Sequence, residues 1–248
     1  MLEDISLKLL VGKPIDIDIG KVHPLKINEI VEMGEIQYNE YLNILLYDVD
    51  LLDISKENLK EMNIDRFTTY HFLLLQSYNN QDFRDLVGKA LELFLKEKVY
   101  FCDDNILFYL MDDEGLKKYI DLNIFELIKK ILIKQNYLKQ LEEEEELIFG
   151  NEMARRWYLD LKRKEKTQPK QKSDVDLQSI ISSVMWKSHK SIDEILKMTI
   201  YQLYDGYFRL SLIDNCNNLT QGIYHGAIDK KQIKESELNW AKIIKFEK

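Results

Sequence analysis

The chain has 248 residues, 45% hydrophobic and 31% charged, enough for one large domain or two smaller ones with a real core. Its formal net charge of -8 argues against nucleic-acid binding by the chain as a whole, because that binding requires phosphates to be neutralised. With only 3 prolines and 9 glycines, and with Lys, Glu, Leu and Ile abundant, the composition opposes a many-turned sandwich and favours helices.

The chain opens with alternation. Leu7 to Pro14 and Ile15 to Val22 have period two across Gly12-Lys13-Pro14, which predicts a β-hairpin. His23-Pro24 breaks the strand, and a short helix is expected from Leu25 to Met33, stopped at Gly34. The next helix carries Ile36, Tyr41, Leu42, Leu45 and Leu46 on a broad face, and Asp48 to Asp53 reads as a loop. Ser55 can cap a helix through Met62. Asp65 can cap another, with Phe67, Tyr70, His71, Leu74, Leu75 and Tyr78 as its apolar stripe. After the turn Asn79-Asn80, a strong amphipathic helix is marked by Phe83, Leu86, Val87, Ala90, Leu91, Phe94 and Leu95.

Val99 to Cys102 and Ile106 to Leu110 flank Asp103-Asp104-Asn105, predicting a second hairpin, and Asp112 to Gly115 is a turn. Asn123 with Glu126 starts a helix expected to run to about Gln140, ahead of the acidic run Glu142 to Glu146, a solvated face or loop. Asn151 can cap a helix with Met153, Trp157 and Leu161. Thr167 to Asp174 has no apolar residue and is the best linker candidate.

Beyond it, Leu177 to Trp186 reads as a helix. Two capping boxes follow in series, Ser191 with Glu194 and Thr199 with Gln202. The second opens a segment with Ile200, Leu203, Tyr204, Tyr207 and Phe208 on one face. Asn215 to Asn218 reads as a turn and Leu219 to Asp229 as a loop or small hairpin. Ser236 can cap a last helix with Leu238, Trp240, Ile243 and Ile244. The expected fold is mainly α (α+β). A helical N-terminal domain with one or two β-hairpins spans 1–162, a polar basic linker 163–176 and a small helical module 177–248.

Charge follows that division. Residues 1–150 hold 30 Asp/Glu against 17 Lys/Arg, and residues 151–248 hold 13 against 18. Such a split suggests parts with different partners or parts that attract each other; unequal solvated faces would produce the same numbers. Arg155 to Lys172 has eight basic residues and two acids beside Trp157 and Tyr158, a pattern that fits a soluble linker better than a nucleic-acid site.

Chemistry is sparse. No phosphate-binding glycine motif or nucleophile elbow is present. His23, His71, His189 and His225 lie in four different segments without ligand spacing; His71 reads as a hydrogen-bonded core or boundary residue, and His23 as a turn residue. Asp103/Asp104 and Asp112/Asp113 could hold a divalent cation only if two turns met, and acids at turns are expected in any case. Cys102 and Cys216 match no metal or redox spacing. No enzyme activity, cofactor or metal is therefore expected. Met1 to Leu10 contains Glu3 and Asp4 and no long apolar region, so neither a leader nor a membrane partner is expected.

Several segments together resemble a known group. His23 to Ile30 with Tyr38 to Leu46, Ile180 to Lys187, Thr199 to Leu210 and Asn239 to Ile244 are similar to proteins encoded among the tail morphogenesis genes of phages and prophages of low-GC Gram-positive bacteria. Those proteins look like tail assembly chaperones. The motifs are diffuse and spread over most of the chain. The resemblance implies a non-enzymatic helper in the host cytoplasm. Such a helper coats the tape measure protein until tail tube protein replaces it, and often exists in a short and a long form. Self-association is left open. A holdase needs reversible apolar and aromatic surface, and Trp186, Tyr201, Tyr204, Tyr207, Phe208 and Trp240 are the residues suited to it. Core packing is the plain alternative for each. A structural tail or connector accessory protein of the virion is the second reading, and a metal-dependent nuclease a distant third.

Overall fold

The computed structural model of the protein describes residues 5–47, 49, 67–138 and 175–243. The described chain is mainly helical with two small antiparallel sheets, as expected from its composition and periodicity. By contacts it divides into two units. One takes the described residues of Met1–Lys13, Pro24–Val31 and Val175–Lys248, and the other those of Pro14–His23 and Glu32–Asp174.

In the first unit, helix α1 spans Ile5–Leu10 and buries Ile5 and Leu9, one turn apart. The expected strand at Leu7 to Pro14 is therefore corrected. Alternation at Leu7 and Leu9 is a by-product of a helix whose Leu7 faces solvent. Gly12, which looked like a hairpin turn, ends this helix instead. Its φ is +70, Gly12 N–H donates to Leu9 O at 3.0 Å, and Lys13 N–H donates to Lys8 O at 2.8 Å. That is the paired bonding of a Schellman cap, which needs a left-handed residue. Helix α2, Ile27–Met33, follows the extended Leu25-Lys26 and ends before Gly34; its residues through Val31 belong to this unit.

The C-terminal part of this unit holds α7 (Leu177–Ser188), α8 (Ile192–Lys197) and α9 (Ile200–Tyr224). Both capping boxes are present, Ser191 with Glu194 and Thr199 with Gln202. Leu25 and Ile27, on either side of Lys26, bond to the backbone on either side of Thr199, where α9 begins. Ile200 N–H donates to Leu25 O at 3.0 Å, and Ile27 N–H donates to Met198 O at 2.9 Å. Gln202 reaches Leu10 O at 2.8 Å through its amide nitrogen. Leu9, Leu25, Ile27, Ile30, Ile195 and Leu203 form the core here.

The predicted turn at Asn215 to Asn218 and the loop from Leu219 are also corrected, because α9 runs unbroken to Tyr224. Asparagine disfavours helix by only a few tenths of a kcal/mol, roughly, and packing overrides so small a preference. Buried Cys216 supplies that packing, and its thiol donates to Leu238 O at 3.0 Å. Gly226, at φ +71, closes the helix with a second Schellman cap. The chain then returns through short 3-10 turns at Lys230–Gln232 and Glu235–Leu238, the latter where a last α-helix was expected.

The second unit begins with a hairpin of β1 (Ile15–Ile17) and β2 (Gly20–Val22), paired Ile15 to Val22 around Asp18-Ile19. Helices α3 (Glu35–Leu45), α4 (Thr69–Asn79), α5 (Gln81–Leu95) and α6 (Leu122–Gln135) follow. Helix α3 buries Tyr41, Leu42 and Leu45 of the predicted face together with Tyr38, but Ile36, expected on that face, lies on the opposite side and is 88% exposed. Asp121, not Asn123, caps α6. Strands β3 (Val99–Cys102), β4 (Leu107–Met111) and β5 (Lys117–Tyr119) form an antiparallel sheet in chain order, the predicted hairpin with one strand more. Val22, Leu73, Val87, Leu91, Phe94, Leu110, Ile120, Ile128 and Ile131 are buried in this unit. The expected caps at Ser55, Asp65 and Asn151, the acidic run and the Thr167 to Asp174 stretch lie outside the described residues.

Candidate partner-binding surface

Helix α9 is long and lightly buried. Of its 25 residues only Ile200, Leu203 and Cys216 are buried, and none of the residues after Cys216 is. Its first turns carry the aromatics picked out in the sequence. Tyr201, Tyr204, Tyr207 and Phe208 are each half-buried. Tyr204 and Phe208, four residues apart, stack with centroids 6.3 Å apart, and Tyr207 meets Phe208 edge-on at 5.5 Å. The i, i+4 spacing puts the stacked pair on one face. Neither core packing nor full exposure describes them, since rings so placed contact their neighbours and keep an edge in water.

The two tryptophans are more exposed. Trp186, near the end of α7, is 75% exposed, and Trp240, on the returning segment, is 51% exposed. Helix α7 packs on α9, and Lys187, next to Trp186, is ion-paired with Asp214 of α9. Trp240 is placed by Arg209. One guanidinium nitrogen donates to Trp240 O and to Lys242 O, each at 2.8 Å. A single arginine on α9 thus ties down two carbonyls of the returning chain. Closer to the helix end the two segments nearly touch, and a Cβ at Gly222 would stand 2.6 Å from Ile228 Cδ1. Glycine is needed there for close approach.

Tyr224, at the end of α9, is 84% exposed and belongs to the same unit. It escaped the sequence reading because it fell in an expected loop; only an unbroken helix to Gly226 would have revealed it. Thus Tyr204, Tyr207 and Phe208 are brought together in one cluster, while Trp186 and Trp240 are presented separately around the same long helix.

Electrostatics here are structural. The Ser191 N–H and hydroxyl donate to the Glu194 carboxylate and hold it below the usual carboxylate range. Ser179 does the same for Asp176 at the start of α7. In the second unit His71 closes the cap of α4, its Nδ1 accepting the Thr68 N–H at 3.2 Å. Burial lowers its pKa, partly offset by Glu126.

The acidic turns have local duties. Asp103 pairs with Arg84 at 3.0 Å, and Asp112 accepts the N–H groups of Glu114 and Leu116 and stands 3.8 Å from Lys118. No group of three or more potential ligands capable of holding a metal occurs among the described residues. Cys102 and Cys216 form no disulfide. Among the described residues no helix is long and apolar enough to cross a membrane.

Residues 167–245 match the model of a family described as YomV second domain. No curated protein and no solved structure matches the chain. The family is phage-associated, and the match supports a phage-related origin.

Proposed function

We propose that the chain is a phage tail assembly chaperone, a non-enzymatic protein that binds the tape measure protein in the host cytoplasm and aids tail tube assembly. The observation that carries this reading is aromatic surface concentrated on one long helix and its neighbours. Trp186, Trp240 and Tyr224 are more than half exposed, and Tyr201, Tyr204, Tyr207 and Phe208 are half-buried. That surface lies within the stretch matched by a phage-associated family, and it coincides with three of the segments whose resemblance points to tail morphogenesis. Rings with one edge in water and one on a helix can release a ligand as readily as they grip it, which is the requirement for a holdase. Tail tube protein would then displace the chain.

Co-expression with the tape measure protein of the same phage tests the proposal. Soluble tape measure protein should rise with the chain and fall again with the double substitution Trp186→Ala and Trp240→Ala. A chaperone should also be absent from purified particles. Stoichiometric presence there would favour the accessory virion protein instead.

A further inference from the structure

The three-stranded sheet of the second unit carries a row of tyrosines. Tyr100 is paired with Tyr109 across β3 and β4, and Tyr109 with Tyr119 across β4 and β5. Residues paired in register share a face, so the three side chains stand side by side. Ring centroids are 5.5 Å apart for Tyr100 and Tyr109 and 5.8 Å for Tyr109 and Tyr119. The alternate positions turn to the core, where Phe108 and Leu110 are buried and Phe101 meets Phe108 at 4.9 Å. The tyrosine row is therefore on the outer face. Tyr100 is 39% exposed, and Met111, two residues after Tyr109, is exposed beside it.

The surroundings of this row carry both signs, with the acids gathered at its two ends. The Lys117 ammonium stands 4.8 Å over the Tyr109 ring, so the face already holds one cation. Carboxylates mark both ends of β4: Asp103 and Asp104 at one turn, Asp112, Asp113 and Glu114 at the other. Asp103 and Asp112 are engaged by Arg84 and Lys118, while Asp104, Asp113 and Glu114 are exposed. Aromatic faces attract cations, and acidic flanks strengthen that preference while repelling phosphates.

We propose that this sheet face is a second interaction surface, and that it docks a basic amphipathic segment of a protein partner. Apolar side chains of the segment would cover Met111, one of its lysines or arginines would stand over the Tyr100 ring, and the others would face the two acidic turns. The surface shares no residue with the aromatic helix of the first unit and does not depend on the chaperone reading.

The test titrates the full chain with a synthetic helical peptide of leucine and lysine, and with the same peptide carrying glutamate at every lysine. The lysine peptide should bind, more tightly as salt is lowered, and the glutamate peptide should not. Tyr100→Ala should weaken binding roughly tenfold, whereas Tyr100→Phe keeps the ring and most of the affinity. The exposed double substitution Asp113→Lys and Glu114→Lys should weaken binding and flatten its salt dependence without disturbing the sheet. Equal binding of both peptides would overturn the proposal. So would binding that survives Tyr100→Ala and the lysine substitutions in chains that melt normally, or binding of a neutral polysaccharide to the row in place of the lysine peptide.

Discussion

Single residues carry more of this fold than the hydrophobic pattern suggests. His71 is one. Its Nδ1 must be unprotonated to accept the Thr68 N–H, and burial already lowers its pKa. The unfolded chain, with the ordinary histidine value, then binds more protons than the folded one as pH falls. Stability is present above the unfolded pKa and is lost as pH falls through the folded one. The melting temperature should decline on acidification from pH 7 to 5, and His71→Gln should flatten part of that decline. Tyr70 acts at the other extreme. Its hydroxyl donates to Ile120 O at 2.9 Å, and burial, with the Asp121 charge, pushes its pKa up to about 12. A raised folded-state pKa stabilises below the unfolded value and is lost as pH rises through the window from 10 to about 12. Tyr70→Phe should remove that alkaline loss while lowering stability at neutral pH. His189 is a third case: it is exposed and holds φ +57 after α7, where glycine rests without strain. His189→Gly should raise stability by about 1 kcal/mol, measured by denaturant midpoint.

At the scale of elements, the legible features were those with a local chemical cause. The capping boxes at Ser191 and Thr199 and the apolar stripe from Phe83 to Leu95 were readable because each signal lies within a turn or two of what it specifies. The misreadings came from elsewhere. Gly12 marks a helix end and a hairpin turn equally well, and only the burial of Leu9 decides between them. The Asn215 to Asn218 stretch stays helical through contacts with a segment about twenty residues away, which no local pattern encodes. The third strand was missed because Lys117 to Tyr119 is short and not apolar, and with it the tyrosine row went unseen. The returning segment offers two checks. Arg209→Ala should speed amide hydrogen exchange through residues 230–243 and shift Trp240 fluorescence toward that of free tryptophan, with α9 itself protected as before. Gly222→Val should lower the melting temperature by forcing Ile228 aside, and Ile228→Ala in the same chain should restore part of the loss, a coupling expected of direct neighbours.

For the whole molecule, the mainly α character with small sheets followed from composition and periodicity. The candidate surface was legible only as residue types: the sequence named Trp186, Tyr201, Tyr204, Tyr207, Phe208 and Trp240, but exposure depends on which faces the rest of the chain covers. The grouping of the first residues with Val175 onward rests on backbone bonds at Leu25 and Met198, between residues that no periodicity relates. Aromatic surface on a long half-covered helix is what a holdase needs, and the proposed function rests on that surface together with a phage-related origin. The most direct measurement is the soluble yield of the tape measure protein co-expressed with this chain. The chaperone account predicts a several-fold rise that Trp186→Ala with Trp240→Ala abolishes in a chain that still folds. A tape measure protein equally soluble with and without the chain would contradict it.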